Sequence, residues 1–444
     1  MIQKITPKNS PIDAEIIIPG SKSITNRVLL MAALAEGESK LSGVLYSDDT
    51  KVMAEALNNL GVLVDLESIK KNGEVNIQGC AGRFPQKTAR IYTHESGTAT
   101  RFLIPAVAAC GRGEYYFHAS PRMMERPLEN QLLALSDLGV NFKFEKKTNS
   151  LPLWLETGGL EGEEVLLDIN QTSQFLSGLM MALPYSNSHS NKSMILKSAQ
   201  NFANKPYVHM TKALMQEFGV EIDIISDQEI KINASNKYQD KYQGQKFFIE
   251  PDMSTASYFF AIPALLGGRI YIKNTARKCL QGDAKFLEVL EKMGCEVFEE
   301  ERNGSSGITV IGLDRLDNLN KSNQKLKGLE IDMAGFSDTF MTVAALACFA
   351  DGPTTLHSLA HTRLQESDRV FAMSLGLEKL GVKTKTSLDS LTIFPPESLD
   401  NFRGALVNSF NDHRIAMSLS LIGLKIPGVE IENSEAVKDR KSVV

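Results

Sequence analysis

Five cationic side chains stand beside polar clusters of the kind that begin helices. They are Lys22, Arg27, Arg101, Arg369 and Arg414. The first turn of a helix carries unpaired N–H groups and a partial positive charge, and both attract anions. Capping by itself requires no nearby cation. The repeated pairing of a helix start with lysine or arginine therefore indicates binding of phosphate or carboxylate groups.

The first of these segments invites comparison with a nucleotide-binding P-loop. That motif requires glycine immediately before its lysine and a second glycine five residues earlier, whereas here Ser21 precedes Lys22. The sequence therefore disfavours a nucleotide kinase. Lys22 and Arg27 still suit a phosphate or a carboxylate, because they lie about one helical turn apart at a capped helix start.

The elements that must position these side chains recur along the chain. Polar clusters that open apolar helical stretches recur at intervals of roughly 75 to 85 residues, which is long enough for a supersecondary unit. The six clusters begin at Ser21, Ser96, Thr172, Ser254, Ser337 and Asn411. A second helix follows in five units and ends at an apolar-Gly-apolar pattern, at Gly61, Gly139, Gly219, Gly294 and Gly381. Glycine there provides the left-handed conformation that ends a helix before the next strand.

The two helices of each unit differ in their apolar pattern. The first is apolar on every side, as in Val28 to Ala35, which predicts a fully buried helix. The second is amphipathic, as in Phe286 to Met293, which predicts a helix that covers the sheet from outside. The sixth unit lacks a second helix, and we expect apolar sheet surface to be uncovered there, at some loss of stability.

Length and composition set further bounds. At 444 residues the chain predicts two domains. The net charge of −5 gives no reason to expect a nucleic-acid partner, and no apolar stretch is long enough to predict a membrane span. The five cysteines form no CxxC pair, which is typical of reduced thiols in a cytoplasmic protein. We also expect a monomer.

A polar stretch between Asn233 and Pro251 separates the third unit from the fourth. The segment Ala14 to Ile18 precedes the first unit and reads as a strand that belongs with the later domain. We therefore predict a discontinuous domain of residues 1–20 plus 248–444, with units four to six, and an inserted domain of residues 21–247, with units one to three.

Several separated motifs carry a family resemblance. They are Pro19-Gly20-Ser21-Lys22-Ser23 with Asn26-Arg27, Ser96-Gly97-Thr98-Ala99 with Arg101, Pro121 to Pro127, Glu366-Ser367-Asp368-Arg369, and Asn411-Asp412-His413-Arg414. Together, and in this order, they resemble the 5-enolpyruvylshikimate-3-phosphate (EPSP) synthase family of enolpyruvyltransferases. The resemblance implies an α/β fold of two lobes, each with three βαβαββ repeats around buried helices, known as an inside-out α/β barrel.

The resemblance also implies a reaction. The 5-hydroxyl of shikimate 3-phosphate attacks C2 of phosphoenolpyruvate (PEP), a tetrahedral adduct forms, and loss of phosphate leaves an enol ether. No metal or organic cofactor is implied. The two substrates carry several negative charges, and cations with oriented N–H groups are needed to neutralise them in a buried site.

The same resemblance assigns residues to the two substrates. Lys22 contacts both ligands, whereas Gly97, Arg126, Arg369 and Arg414 bind PEP. Ser23, Arg27, Thr172, Ser173 and Gln174 bind shikimate 3-phosphate, and Thr98 belongs to the substrate-binding set. The reaction moves protons at the attacking hydroxyl and at C3 of PEP, for which carboxyl groups are expected. Asp338 matches the acceptor of the hydroxyl proton, and Glu366 matches the residue near the methylene transfers.

This chain departs from the family pattern at some positions. Gln365 stands where the family has Lys or Arg, which removes a charge-assisted contact to the shikimate ligand. His361 replaces an asparagine and Asn204 a serine, and both retain hydrogen-bonding groups. Phe102 replaces a common proline. Lys438 fits by spacing the C-terminal lysine that binds PEP in the family, with Lys441 as the alternative.

Two other functions stay open. UDP-N-acetylglucosamine enolpyruvyltransferases share the repeat fold, but they typically have Lys-Asn in place of Lys22-Ser23 and often a cysteine in the loop that here spans residues 121–127. A catalytically weakened scaffold would keep the repeats because stacking alone stabilises them. A metal site at His357 and His361 is disfavoured, because the pair lacks a glutamate at the zinc-protease position and nearby cysteines.

Overall fold

The computed structural model describes residues 1–170, 172–186, 193–202, 205–233, 241–313 and 325–437. The chain divides into two compact units. The discontinuous unit comprises Met1–Pro19 and Pro251–Val444, and the inserted unit comprises Gly20–Glu250. No helix in the described ranges is both long and apolar enough to cross a membrane.

The helices and strands of the described residues are as follows. The helices are α1 (Lys22–Leu34), α2 (Asp48–Asn59), α3 (Leu66–Asn72), α4 (Gly97–Cys110), α5 (Pro121–Met124), α6 (Glu129–Asp137), α7 (Gln174–Ala182), α8 (Pro206–Glu217), α9 (Met253–Leu266), α10 (Phe286–Met293), α11 (Phe340–Ala347), α12 (Arg369–Lys379) and α13 (His413–Gly423). The strands are β1 (Ile2–Lys4), β2 (Ile12–Ile16), β3 (Glu38–Ser42), β4 (Glu74–Gln78), β5 (Thr88–Tyr92), β6 (Gly113–His118), β7 (Asn141–Phe144), β8 (Leu153–Thr157), β9 (Glu164–Leu167), β10 (Met194–Ser198), β11 (Ile222–Ser226), β12 (Glu229–Ile232), β13 (Lys246–Phe248), β14 (Gly268–Lys273), β15 (Glu296–Arg302), β16 (Ser305–Ile311), β17 (Glu330–Asp332), β18 (Thr354–His357), β19 (Lys383–Thr386), β20 (Leu391–Phe394), β21 (Leu406–Asn408) and β22 (Glu430–Glu432). Two 3₁₀ turns matter for the site, Gly282–Lys285 and Ser337–Thr339.

These strands form small sheets that each stay within one unit. The inserted unit holds the orders β13-β3-β4, β5-β6-β8-β7 and β11-β12-β10-β9. The discontinuous unit holds β15-β16-β14-β2, β17-β18-β20-β19 and β1-β22-β21.

The second sheet shows the repeat most clearly. Strands β5 and β6 are parallel, with Ile91 opposite Phe117, and helix α4 connects them. Helix α6 follows, and β7 and β8 then pair antiparallel with each other, with β8 also antiparallel to β6. This order of elements is the predicted βαβαββ unit. Parallel strands need such a crossover connection, whereas antiparallel strands can be joined by a short turn.

The chain passes between the units at two strands. Strand β2 precedes α1 in sequence but pairs parallel with β14 of the discontinuous unit. Strand β13 precedes α9 but pairs parallel with β3 of the inserted unit. Each unit therefore receives one strand from the segment that leads into the other.

The helices have the predicted environments. Every residue of α1 from Ile24 to Leu34 is buried, whereas α10 buries only its apolar face. Gly61 and Gly381, which end second helices, both have a φ near +90° (+91° and +87°), as predicted. Two helix starts differ from the prediction. Helix α9 begins at Met253 because Asp252 caps it, and the Ser337 segment begins with a 3₁₀ turn before α11.

Candidate active site

The site residues of the inserted unit begin at the start of α1. The Ser21 hydroxyl caps this helix by accepting a hydrogen bond from the Ile24 N–H. The Nζ of Lys22 lies 2.9 Å from Oδ2 of Asp49, in the first turn of α2. Both side chains are mostly shielded, being 15% and 18% exposed. Asp49 therefore fixes the position of the Lys22 amine, a contact that no sequence motif predicted.

The guanidinium of Arg27 is held one turn further along α1 by neutral oxygens. Its Nε donates to Oγ1 of Thr211 at 2.8 Å, and its Nη2 donates to Oγ of Ser177 at 3.1 Å. Its Nη1 donates to the Ser23 carbonyl at 2.9 Å. Burial lowers the pKa of Arg27 to about 10, so the group stays protonated at neutral pH. Its positive charge thus remains able to complement an anionic ligand.

A second group of side chains joins the starts of α4 and α7. The Nη1 of Arg101 donates to Oε1 of Gln174 at 2.7 Å, and Nε2 of Gln174 donates to Oγ1 of Thr98 at 3.1 Å. These two bonds fix which end of the Gln174 amide faces each neighbour. Thr172 accepts from the Gln174 N–H at 3.2 Å, and Ser173 occupies the N-cap of α7. Thr98, Thr172, Ser173 and Gln174 are therefore close together.

Two arginines crowd the first residue of α4. A methyl group placed on Gly97 would lie 2.6 Å from Nη1 of Arg126 and 2.9 Å from Nη1 of Arg101. Burial, followed by the positive charge of Arg126, lowers the pKa of Arg101 to about 9. Two guanidinium groups and a helix N-terminus thus meet at one glycine, an arrangement suited to an anion.

The site residues of the discontinuous unit centre on Arg369, the first residue of α12. This side chain is 4% exposed, and its Nε donates to Oδ2 of Asp412 at 2.8 Å. Its Nη1 donates to Oδ1 of Asp338 at 3.1 Å and also contacts the Gln365 side chain. Asp412 is fully buried and caps α13 through the Arg414 N–H. One arginine therefore joins the starts of two helices and the turn before a third.

Arg414 approaches Asp338 from the other side. Its Nη2 donates to Oδ2 of Asp338 at 3.0 Å, and its Nη1 donates to the Asp338 carbonyl at 3.2 Å. The α11 N-cap residue is Thr339, so Asp338 is not the cap of that helix. The Asp338 carboxylate instead bridges two buried arginines.

Glu366 belongs to the same network. Its Oε2 lies 3.0 Å from Nδ1 of His413 and 3.8 Å from Nη2 of Arg369. Glu366, Asp412 and His413 bring possible metal-ligand atoms within 4.8 Å of one another. Arg369 already contacts both carboxylates, so we interpret the group as an ion-pair network around a cation.

The remaining predicted residues are placed as follows. Oγ of Ser337 lies 2.8 Å from Nε2 of His361, whereas Nε2 of His357 lies 2.8 Å from Glu330, so the two histidines have different partners. Asn204 and Lys438 lie outside the described residues. The sequence did not predict that Asp49, Thr211, Ser177 and Asp412 orient residues of the site. Of these four, only Asp412 could have been identified from the sequence, because it stands where a helix cap is expected.

Comparisons with known proteins give both sequence and structural matches. Residues 6–440 match the family described as EPSP synthase (3-phosphoshikimate 1-carboxyvinyltransferase). A 3-phosphoshikimate 1-carboxyvinyltransferase of Nostoc punctiforme is 37% identical over 430 residues, 97% of this chain and 94% of that protein. One of Marinomonas is 35% identical over 425 residues, 96% and 93% of the two chains. An EPSP synthase structure from Acinetobacter baumannii matches with a TM-score of 0.79 and 23% identity, over 98% of this chain and 94% of that one.

These matches bear on both the fold and the family. The structural match shows a shared fold, and it confirms the predicted class of an α/β protein with two lobes of βαβαββ repeats. The sequence matches extend over nearly the whole length of this chain. The chain belongs to the EPSP synthase family.

Proposed function

We propose that this protein transfers the enolpyruvyl group of PEP to the 5-hydroxyl of shikimate 3-phosphate and releases phosphate, a step toward aromatic amino acids. Its relatives in Nostoc and Marinomonas are 3-phosphoshikimate 1-carboxyvinyltransferases, which favours this acceptor over UDP-N-acetylglucosamine. The observation that carries the proposal is the carboxylate of Asp338 held between Arg369 and Arg414, 3.1 and 3.0 Å away.

The discontinuous unit provides groups for the chemistry of PEP. Arg369 and Arg414 donate hydrogen bonds to the anionic groups of PEP and stabilise the charge of the tetrahedral adduct. Asp338 accepts the proton of the 5-hydroxyl as that oxygen attacks C2. Glu366 lies 3.0 Å from His413, which orients it. We assign Glu366 to the proton transfers at the methylene carbon. The reaction as proposed uses no cofactor.

The inserted unit provides most of the contacts with shikimate 3-phosphate. Neutral oxygens hold the Arg27 guanidinium, and two hydrogen bonds orient the Gln174 amide. Both side chains are therefore preorganised for an anionic ligand with hydroxyl groups. Ser23, Thr172 and Ser173 add hydroxyl groups of their own. The remaining proposed contacts with this ligand are Asn204, His361 and Gln365.

The inserted unit also contacts PEP. We assign Lys22 to contacts with both substrates and place it with Asp338 and Glu366 among the catalytic residues. Gly97, Thr98 and Arg126 contact PEP at the start of α4, and Lys438 is the proposed C-terminal contact.

The direct test of the proposed function is phosphate release from PEP with each candidate acceptor. We expect release with shikimate 3-phosphate and only background release with UDP-N-acetylglucosamine. An Arg27→Met variant serves as a matched control, because it should raise the KM for shikimate 3-phosphate. Turnover with UDP-N-acetylglucosamine alone would show that the acceptor is wrong, and no turnover with either would support the weakened scaffold.

Gly97→Ala is expected to raise the KM for PEP by about tenfold or more. A tenfold rise corresponds to a loss of about 1.4 kcal/mol of binding free energy. The added methyl group would lie within 3 Å of two guanidinium groups, which must move away from the helix start. Steady-state kinetics with each substrate varied in turn should show a smaller change in the KM for shikimate 3-phosphate. Gly158→Ala is the control, because a methyl group there meets nothing within 4 Å. An unchanged KM for PEP would remove Gly97 from the site.

We further propose that the protein acts as a monomer in the cytoplasm. The five cysteines lie within the described residues and form no disulfide there, which supports a reducing compartment. Light scattering after size exclusion should give the mass of one chain, and a dimer mass would contradict the first part of this proposal.

A further inference from the structure

Asp283 is a buried carboxyl group that has no part in the roles assigned above. It lies in the 3₁₀ turn Gly282–Lys285, which packs against α9 and against the 3₁₀ turn that carries Asp338. The residue is 7% exposed, and its Oδ2 accepts a hydrogen bond from the buried hydroxyl of Ser254 in the first turn of α9. A buried carboxyl with a hydroxyl partner, rather than an arginine, is a costly place for a negative charge.

Charged groups face Asp283 from several neighbouring elements. Asp338 faces it from the 337–339 turn, Arg414 from α13, and Asp252 from the cap of α9. Burial, followed by the negative charge of Asp338, raises the pKa of Asp283 to about 7. Arg414 and the Ser254 hydroxyl act in the opposite direction. Lys285 ends the same turn, and Glu288 on α10 is exposed.

The charges of this cluster do not balance when every carboxyl group is ionised. Its four carboxyl groups, on Asp283, Asp338, Glu366 and Asp412, surround the two guanidinium groups of Arg369 and Arg414. An anionic ligand at these arginines would add further negative charge. A carboxyl group near an added negative charge binds its proton more tightly. Asp338, Glu366 and Asp412 each form an ion pair with Arg369, whereas Asp283 accepts its hydrogen bond from the Ser254 hydroxyl, so we expect Asp283 to hold the proton.

We propose that Asp283 is a positioning residue for PEP: its neutral form leaves Arg369 and Arg414 able to receive the anion, and its ionisation weakens PEP binding. The inference rests on the proposed placement of PEP at Arg369 and Arg414. Loss of the proton puts a second carboxylate beside Asp338. That carboxylate would compete with PEP for Arg414, so PEP binding should weaken as the pH rises.

The test is the KM for PEP between pH 6 and pH 9 at saturating shikimate 3-phosphate, in wild type and in Asp283→Asn. The phosphate of PEP titrates in a similar range, near pH 6. The ratio of the two KM values at each pH therefore isolates the contribution of the enzyme. We expect the wild-type KM to rise about tenfold relative to the variant between pH 6 and pH 8.5, as a group titrating near pH 7 loses its proton. Glu288→Gln, which removes an exposed carboxylate from α10, should keep the wild-type profile.

Ser254→Ala provides a second and independent perturbation. The serine hydroxyl stabilises the ionised form of Asp283, so its removal should raise the pKa of Asp283 and move the rise in KM to higher pH. A variant that only loosened the structure would not shift the profile in this direction. This variant also keeps the proposal testable if Asp283→Asn fails to fold.

The possible outcomes separate this proposal from the proposed function. Absence of turnover in the wild-type enzyme would contradict the function. Turnover with identical pH profiles in wild type and Asp283→Asn would overturn the role of Asp283. An unshifted profile in Ser254→Ala would overturn it as well.

Discussion

Replacing Asp338 by alanine is expected to lower kcat by a factor of about 10³ or more, within the range for loss of a positioned general base. The carboxylate is the proposed acceptor of the 5-hydroxyl proton, and the structure holds it in place with hydrogen bonds of 3.1 and 3.0 Å from Arg369 and Arg414. Its removal also frees two arginines for PEP. We therefore expect the dissociation constant for PEP to stay the same or to fall.

Rapid-quench turnover and equilibrium binding of PEP, measured on the same preparation, separate these two effects. Glu397→Gln is a suitable control, because it removes an exposed carboxylate from the same unit. A kcat near that of wild type would exclude Asp338 from proton transfer. A large loss of PEP affinity with little change in kcat would make it a binding residue instead.

Replacing Arg369 by methionine is expected to lower the free energy of unfolding by about 3–5 kcal/mol, the usual result of breaking a buried ion pair on one side. Asp412 is fully buried, and Arg369 is its charged partner at 2.8 Å. Within the part of the chain that the structure describes, the partners left to that carboxylate would be the Ser367 hydroxyl and the Arg414 N–H. The same change should abolish most activity, because it removes a proposed PEP contact.

The double variant Arg369→Met, Asp412→Asn distinguishes a buried charge from lost packing. Asparagine caps helices nearly as well as aspartate, so α13 should keep its start while the unpaired charge disappears. We expect the double variant to recover a substantial part of the lost stability, though not the activity. Urea unfolding followed by circular dichroism measures both variants. Equal instability of the single and double variants would mean that the charge of Asp412 is not the cause.

The repeated architecture was predictable because each unit is specified locally. An apolar helix, an amphipathic helix and a terminal glycine such as Gly61 or Gly381 follow one another within roughly 80 residues, so periodicity alone reveals them. The exact helix starts were less predictable. Asp252 competes with Ser254 as the cap of α9, and the aspartate prevails in the structure.

The sequence predicted the cationic residues of the site but not the residues that hold them in place. Polar clusters beside lysine and arginine indicated Lys22, Arg27, Arg369 and Arg414. The groups that orient Arg27 lie 184 and 150 residues away, at Thr211 and Ser177, and only packing brings them together.

Arg101 illustrates the same limit. The sequence suggested a cation for ligands, and the structure places its Nη groups on Gln174 and on the Pro127 carbonyl. Its substrate contacts are therefore indirect in our proposal, acting through the orientation of Gln174.

The most direct test of the central claim is a crystal structure of Asp338→Asn with PEP and shikimate 3-phosphate bound. The account predicts that Arg369 and Arg414 each donate hydrogen bonds to the anionic groups of PEP, and that Arg27 and Gln174 contact shikimate 3-phosphate. PEP bound away from both arginines, with Arg369 and Arg414 still engaged only by the carboxyl groups of the cluster, would contradict it.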